Sequence, residues 1–106
     1  MHRLASDELW HFYLGDPIEL LLLHPDGRHE LIVLGQNVLF SEKLQHLVPA
    51  GTWMGARVKP GGEYSVFGNT MAPGFTENDF ELGDRDVLSQ QWPQHSDLIV
   101  ALTRTP

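Results

Sequence analysis

Strong turn signals interrupt this 106-residue chain every few residues, and what lies between them is too short for anything but strands. Gly15-Asp16-Pro17 closes the aromatic-rich run from Glu8 to Leu14. His24-Pro25-Asp26-Gly27 has Pro second and Gly fourth, a turn that joins Ile18–Leu23 to a returning arm from Arg28 to Leu34. After a polar loop, Pro49-Ala50-Gly51 separates Leu44–Val48 from Thr52–Val58, and Lys59-Pro60-Gly61-Gly62 precedes Tyr64–Phe67 and Thr70–Ala72. Six or seven short strands at regular spacing predict an antiparallel sandwich or barrel.

The tail changes period. Asp84 has the chemistry of an N-cap and predicts a short helix from Arg85 to Gln91. Pro93 opens a second helix over Gln94–Leu102, whose Leu98, Ile99, Ala101 and Leu102 predict packing against the outside of the sheet. There is no repeat or linker, so residues 1–106 read as one domain.

Composition narrows the function classes. Hydrophobic residues make up 42% and charged residues 20%, as in an ordinary folded domain. A net charge of −7 with seven scattered basic residues argues against a nucleic-acid binder. The absence of cysteine excludes disulfides and thiolate chemistry, and fits the cytoplasm. The longest apolar run, Ile18–Leu23, cannot cross a bilayer and predicts no membrane partner. A sugar, another neutral or cationic small molecule, or a protein is the expected partner.

Two segments resemble the paired motifs of the cupin superfamily. His2, Glu8 and Gly15 keep the spacing of the first, with six residues between Glu8 and Gly15. Pro49-Ala50-Gly51-Thr52-Trp53-Met54 follows the frame of the second. More narrowly, HRLASDELWHFYLGDPIELLLLHPDG, VPAGTWMGARV and MAPGFTENDFELGDRDVL resemble the Cupin_5 (DUF985) family across nearly the whole chain. The resemblance implies a double-stranded β-helix, or jelly-roll barrel, with short C-terminal helices. It also implies a shortened N-terminus, since this chain begins inside the first motif. A barrel lacking its opening strands would expose sheet edges, so a homodimer with exchanged strands is expected.

Cupin metals sit on three His and one Glu. Mapped onto this frame, His2 and Glu8 remain, Leu4 replaces the second His and Met54 the third. Leu has no lone pair, and a thioether suits hard divalent ions poorly. The expectation is therefore a chain with no metal and no cofactor.

Glu8 is then the best candidate for chemistry. Strand alternation puts it on one face with Trp10 and Phe12, where burial makes it a usable general acid or base. The bland alternative is a carboxylate paired with Arg3 or Arg57. His11 should face the other way unless a bulge shifts the register, yet it stays a candidate ligand-binding residue, as does His2 by motif. Trp53, Met54, Tyr64 and Phe75 could line a pocket, Met54 by its frame position. For each aromatic, core packing is the competing explanation. Gly74 after Pro73 reads as a turn. His24, His29, His46 and His95 fall in turns or near element ends and read as solvated.

Together these predict a metal-free cupin that binds a small polar, carbohydrate-like molecule in the barrel. It would isomerise or epimerise that molecule with Glu8 as acid or base. The alternative is a non-catalytic small-molecule-binding module, or one with a purely structural or assembly role.

Overall fold

The structure is a computed structural model that describes residues 1–72 and 80–103. Eight strands are followed by two helices: β1 (His2–Leu4), β2 (Asp7–Gly15), β3 (Ile18–Leu23), β4 (His29–Leu34), β5 (Gln45–Val48), β6 (Trp53–Val58), β7 (Ser65–Ala72), β8 (Phe80–Leu82), α1 (Arg85–Gln91) and α2 (Ser96–Leu102). The strands form two antiparallel sheets, ordered β4-β3-β6-β1-β8 and β5-β2-β7. Short 3₁₀ turns occupy Val38–Phe40 and Pro93–His95.

Strand β3 explains the architecture. Its alternate residues Ile18, Leu20 and Leu22 enter the core between the sheets, with Trp10 and Phe12 of β2, Val48 of β5 and Met54 of β6. The intervening Leu21 and Leu23 enter a second core, against Leu88 and Trp92 from the α1 end and Ile99 of α2. A strand covered on both faces has no solvent side, so its sequence is apolar nearly throughout rather than alternating. The helices thus pack on the outside of the five-stranded sheet, as their apolar residues predict. Asp84 caps α1 as its chemistry requires, its carboxylate accepting from the N–H groups of Asp86 and Val87.

Three features differ from the sequence reading. First, β1 and β8 are strands too short to carry a periodic signal, and β1 is paired on both sides, His2 lying opposite Met54 and Leu82. The N-terminal ammonium also donates to the Leu102 carbonyl, so the first residues are fixed from both directions. Second, the two strands expected at Tyr64–Phe67 and Thr70–Ala72 are one strand, Ser65–Ala72, with Tyr64 just before it. Gly68 between them does not turn the chain; a Cβ there would lie 2.9 Å from the Tyr13 hydroxyl, so Gly leaves room for that ring. Third, His24 is buried rather than solvated. Its Nε2 lies 2.7 Å from Glu30 Oε1 and its Nδ1 faces Thr52 Oγ1 at 3.4 Å.

The turn at Gly15-Asp16-Pro17 has a stringent backbone. Gly15 has φ +101°, and a Cβ on it would meet the Tyr64 carbonyl oxygen at 2.5 Å. Asp16 ties this turn to the next by accepting from the N–H groups of Glu63 and Tyr64, which hold its carboxyl below the usual aspartate range.

Candidate functional site

Strand alternation sets the first layer of the site. Along β2, Glu8, Trp10 and Phe12 are buried while Tyr13 is exposed and Leu9 and His11 are half-buried. The bulge in the β2–β7 pairing falls between Phe12 and Leu14, beyond His11, so it leaves the predicted faces intact. His11 therefore points away from Glu8. Its Nε2 lies 2.9 Å from Thr70 Oγ1 and its ring stacks on Tyr13.

Pairing supplies the second layer. β7 lies beside β2 with Asn69 opposite Trp10, and Asn69 Nδ2 donates to Glu8 Oε1 at 2.9 Å. From the facing sheet, β1 brings His2 Nε2 to 3.9 Å from Glu8 Oε2. That separation is beyond hydrogen-bond reach. Neither Arg3 nor Arg57 reaches Glu8: Arg3 pairs with Glu81 at 2.7 Å and Arg57 with Glu19 at 2.9 Å. Among the described residues, Glu8, with 3% of its surface accessible, thus keeps Oε2 without a hydrogen-bond partner, and Trp10 Nε1 is also buried without one. Native proteins rarely leave such groups unmatched, because each costs about 1–3 kcal/mol.

Beside this pair lies a cavity of about 650 Å³, walled by His2, Trp10, Phe67, Phe80, Ala56 and Leu82 among others. Trp10 stacks on Phe67 (centroids 5.2 Å apart) and His2 on Phe80 (5.1 Å), giving the cavity two flat aromatic surfaces. Its size is that of a small-molecule pocket.

The structure brings together His2, Glu8 and Trp10, with Met54 opposite His2 in the pairing and buried in the adjoining core. Phe12 is part of the core proper. Trp53 faces the helices on the other side of the sheet, with the Arg3 guanidinium 4.4 Å above its ring. Tyr64 is exposed in the turn before β7. Phe75, Pro73 and Gly74 lie outside the described residues. Asn69, Phe67 and Phe80 had no signal in the sequence. A polar residue inside a strand would have flagged Asn69, but Gly68-Asn69 falls between the two strands read at Tyr64–Phe67 and Thr70–Ala72.

The four-donor metal site of cupins does not fit these residues. Leu4 and Met54, which stand at two of the four donor positions, are both buried in the apolar core. Among the described residues, no three His, Asp or Glu side chains converge as ligands. The donors left at the frame positions are His2 and Glu8.

The sequence model of the Cupin_5 family, described as Cupin superfamily (DUF985), matches residues 1–83. The fold is similar to the crystal structure of protein SO0799 from Shewanella oneidensis. That protein is 34% identical with a TM-score of 0.88, over 99% of this chain and 66% of that one. It is also similar to a hypothetical protein from Leishmania major, 29% identical with a TM-score of 0.77, over 98% of this chain and 68% of that one. The chain thus spans about two thirds of the length of each. No curated protein matches it.

Proposed function

The chain belongs to the Cupin_5 (DUF985) family of the cupin superfamily, and from that premise we propose that it binds a small polar, carbohydrate-like molecule in the cavity beside Glu8. One observation carries the reading: a buried acceptor, Glu8 Oε2, and a buried donor, Trp10 Nε1, on the same face of one strand both lack hydrogen-bond partners among the described residues. A hydroxyl both donates and accepts, so a polyhydroxylated ring can satisfy both while its apolar face rests on Trp10 or Phe67. The aromatic stacks support this mode of seating.

In the catalytic form of the proposal, Glu8 removes a proton from the carbon next to a substrate carbonyl. It returns that proton to the neighbouring carbon or the opposite face, so that isomerisation or epimerisation changes no atom count. A second reading, recognition without turnover, is favoured by the closeness of His2 and Glu8. Two titratable groups side by side do not bracket a reacting centre. A homodimer belongs to the same proposal, supported by exposed Tyr13, Leu14 and Leu47 on the smaller sheet.

Thermal shift against a panel of monosaccharides tests the binding, and Glu8→Gln separates the two forms. A ligand that raises the melting temperature without turnover supports recognition, and turnover that Glu8→Gln abolishes supports catalysis. No shift with any polyol or sugar overturns the proposal.

A further inference from the structure

Resting on that reading of the cavity, we infer that its occupant is a neutral sugar joined to a flat aromatic ring, with the sugar beside His2 and the ring on Phe67. The cavity opens where side chains aimed between the two sheets are left uncovered. Residues opposite each other in a strand ladder share a face. Leu82 and Phe80 lie opposite His2 and Leu4, and Phe67 lies opposite Phe12. Leu4 and Phe12 enter the core between the sheets, so Phe67, Phe80 and Leu82 point to that side as well. Yet these three are 44%, 40% and 72% accessible, and all of them line the cavity. Apolar surface left open in this way marks a place where something apolar binds.

A sugar alone leaves those walls unmatched. Among the described lining residues, only His2 and the Trp10 indole carry side-chain nitrogens, and the rest are apolar or glycine. Trp10 is buried behind Phe67, so the imidazole is the polar side chain that hydroxyls can meet. The rings supply the other half of the ligand's seat. Trp10 and Phe67 of the smaller sheet lie 18° from parallel, and His2 and Phe80 of the larger sheet lie 17° from parallel. A third ring can extend such a stack with an offset or pack edge-on against it. A volume of about 650 Å³ is in the range of pockets that enclose drug-sized ligands, which are larger than one sugar ring. The net charge of −7 repels an anion, so the ligand class is a neutral aryl glycoside or nucleoside rather than a phosphorylated one.

Phenyl and methyl glucoside differ only in the group on the anomeric oxygen, which makes them the decisive probes. Titration calorimetry on the wild-type chain should show the phenyl glucoside binding at least about tenfold tighter, the effect of burying and stacking one aromatic ring. Phe67→Leu keeps an apolar side chain but removes the flat face, and should cut that preference by about threefold or more. Phe67→Tyr, which keeps the ring, should retain it. Equal wild-type affinities would overturn the aromatic assignment and leave carbohydrate binding standing. A preference left intact in Phe67→Leu would overturn it too, because the ring would then sit elsewhere. Phenol binding as tightly as phenyl glucoside would also overturn it, since the sugar would contribute nothing. Binding of neither glucoside overturns both readings, and that result requires no variant to fold.

Discussion

Among the described residues Glu8 has one donor where it has room for two, and that imbalance makes its neighbourhood testable residue by residue. Asn69→Ala removes the one donor it has, leaving both carboxylate oxygens buried without partners. The expected cost is about 1–3 kcal/mol, read from urea denaturation midpoints. A change below about 0.5 kcal/mol would mean that Asn69 does not hold Glu8 in solution. Two histidines make a separate prediction. Burial, together with the nearby Lys43 charge, holds the His46 imidazole below its ordinary value, and burial with the neighbouring His29 does the same for His95. The folded chain therefore binds these protons less readily than the unfolded one. Stability is full above pH of about 6.5, the ordinary histidine value, and is lost as pH falls through it. Denaturation midpoints should drop between roughly pH 7.5 and 5.5, and His46→Gln combined with His95→Gln should flatten that slope. A slope unchanged in the double variant would assign the acid sensitivity elsewhere.

The elements divide by how local their causes are. Helix α1 was legible to the residue because its N-cap is a contact between Asp84 and the amides two and three positions on. Asp84→Ala should accordingly cost about 0.5–2 kcal/mol. Strand β3 was legible because its six residues are nearly all apolar, but only the fold shows that Leu20 and Leu21 serve different cores. Leu21→Ala should cost about 2–5 kcal/mol by opening a void under the helices, measured by thermal or urea melting. Near-neutrality would mean that the helix layer collapses onto the gap. Strands β1 and β8 were invisible for a physical reason: three residues show no period, and what makes them strands is pairing with each other and with β6. The second helix is expected from Gln94 because Pro93 can open a helix, yet the turn Pro93 opens is 3₁₀ and the α-helix starts at Ser96.

At the scale of the molecule, two sheets enclose a core, and among the described residues no helix covers the outer face of β5-β2-β7. Exposed Tyr13, Leu14 and Leu47 lie along that smaller sheet, and β4 and β8 end the larger one. Light scattering on the purified chain should give twice the chain mass at micromolar concentration; a monomer at every concentration would remove the dimer from the proposal. Among the described residues no helix is long and apolar enough to cross a membrane.

The sequence by itself determined what depends on near neighbours. Turn residues set where strands stop, alternation put Glu8 and Trp10 on one face and His11 on the other, and Leu4 and Met54 took two donors from the metal frame. The tertiary structure alone decided what depends on distant ones. Asn69 reaches Glu8 across 61 positions, and His2 arrives from the opposite sheet. It also turned Trp53 toward the helices and buried His24 against Glu30. Periodicity reports which face a side chain takes. Which other chain segment lies across that face is set by sheet pairing and packing, and no run of adjacent residues records it.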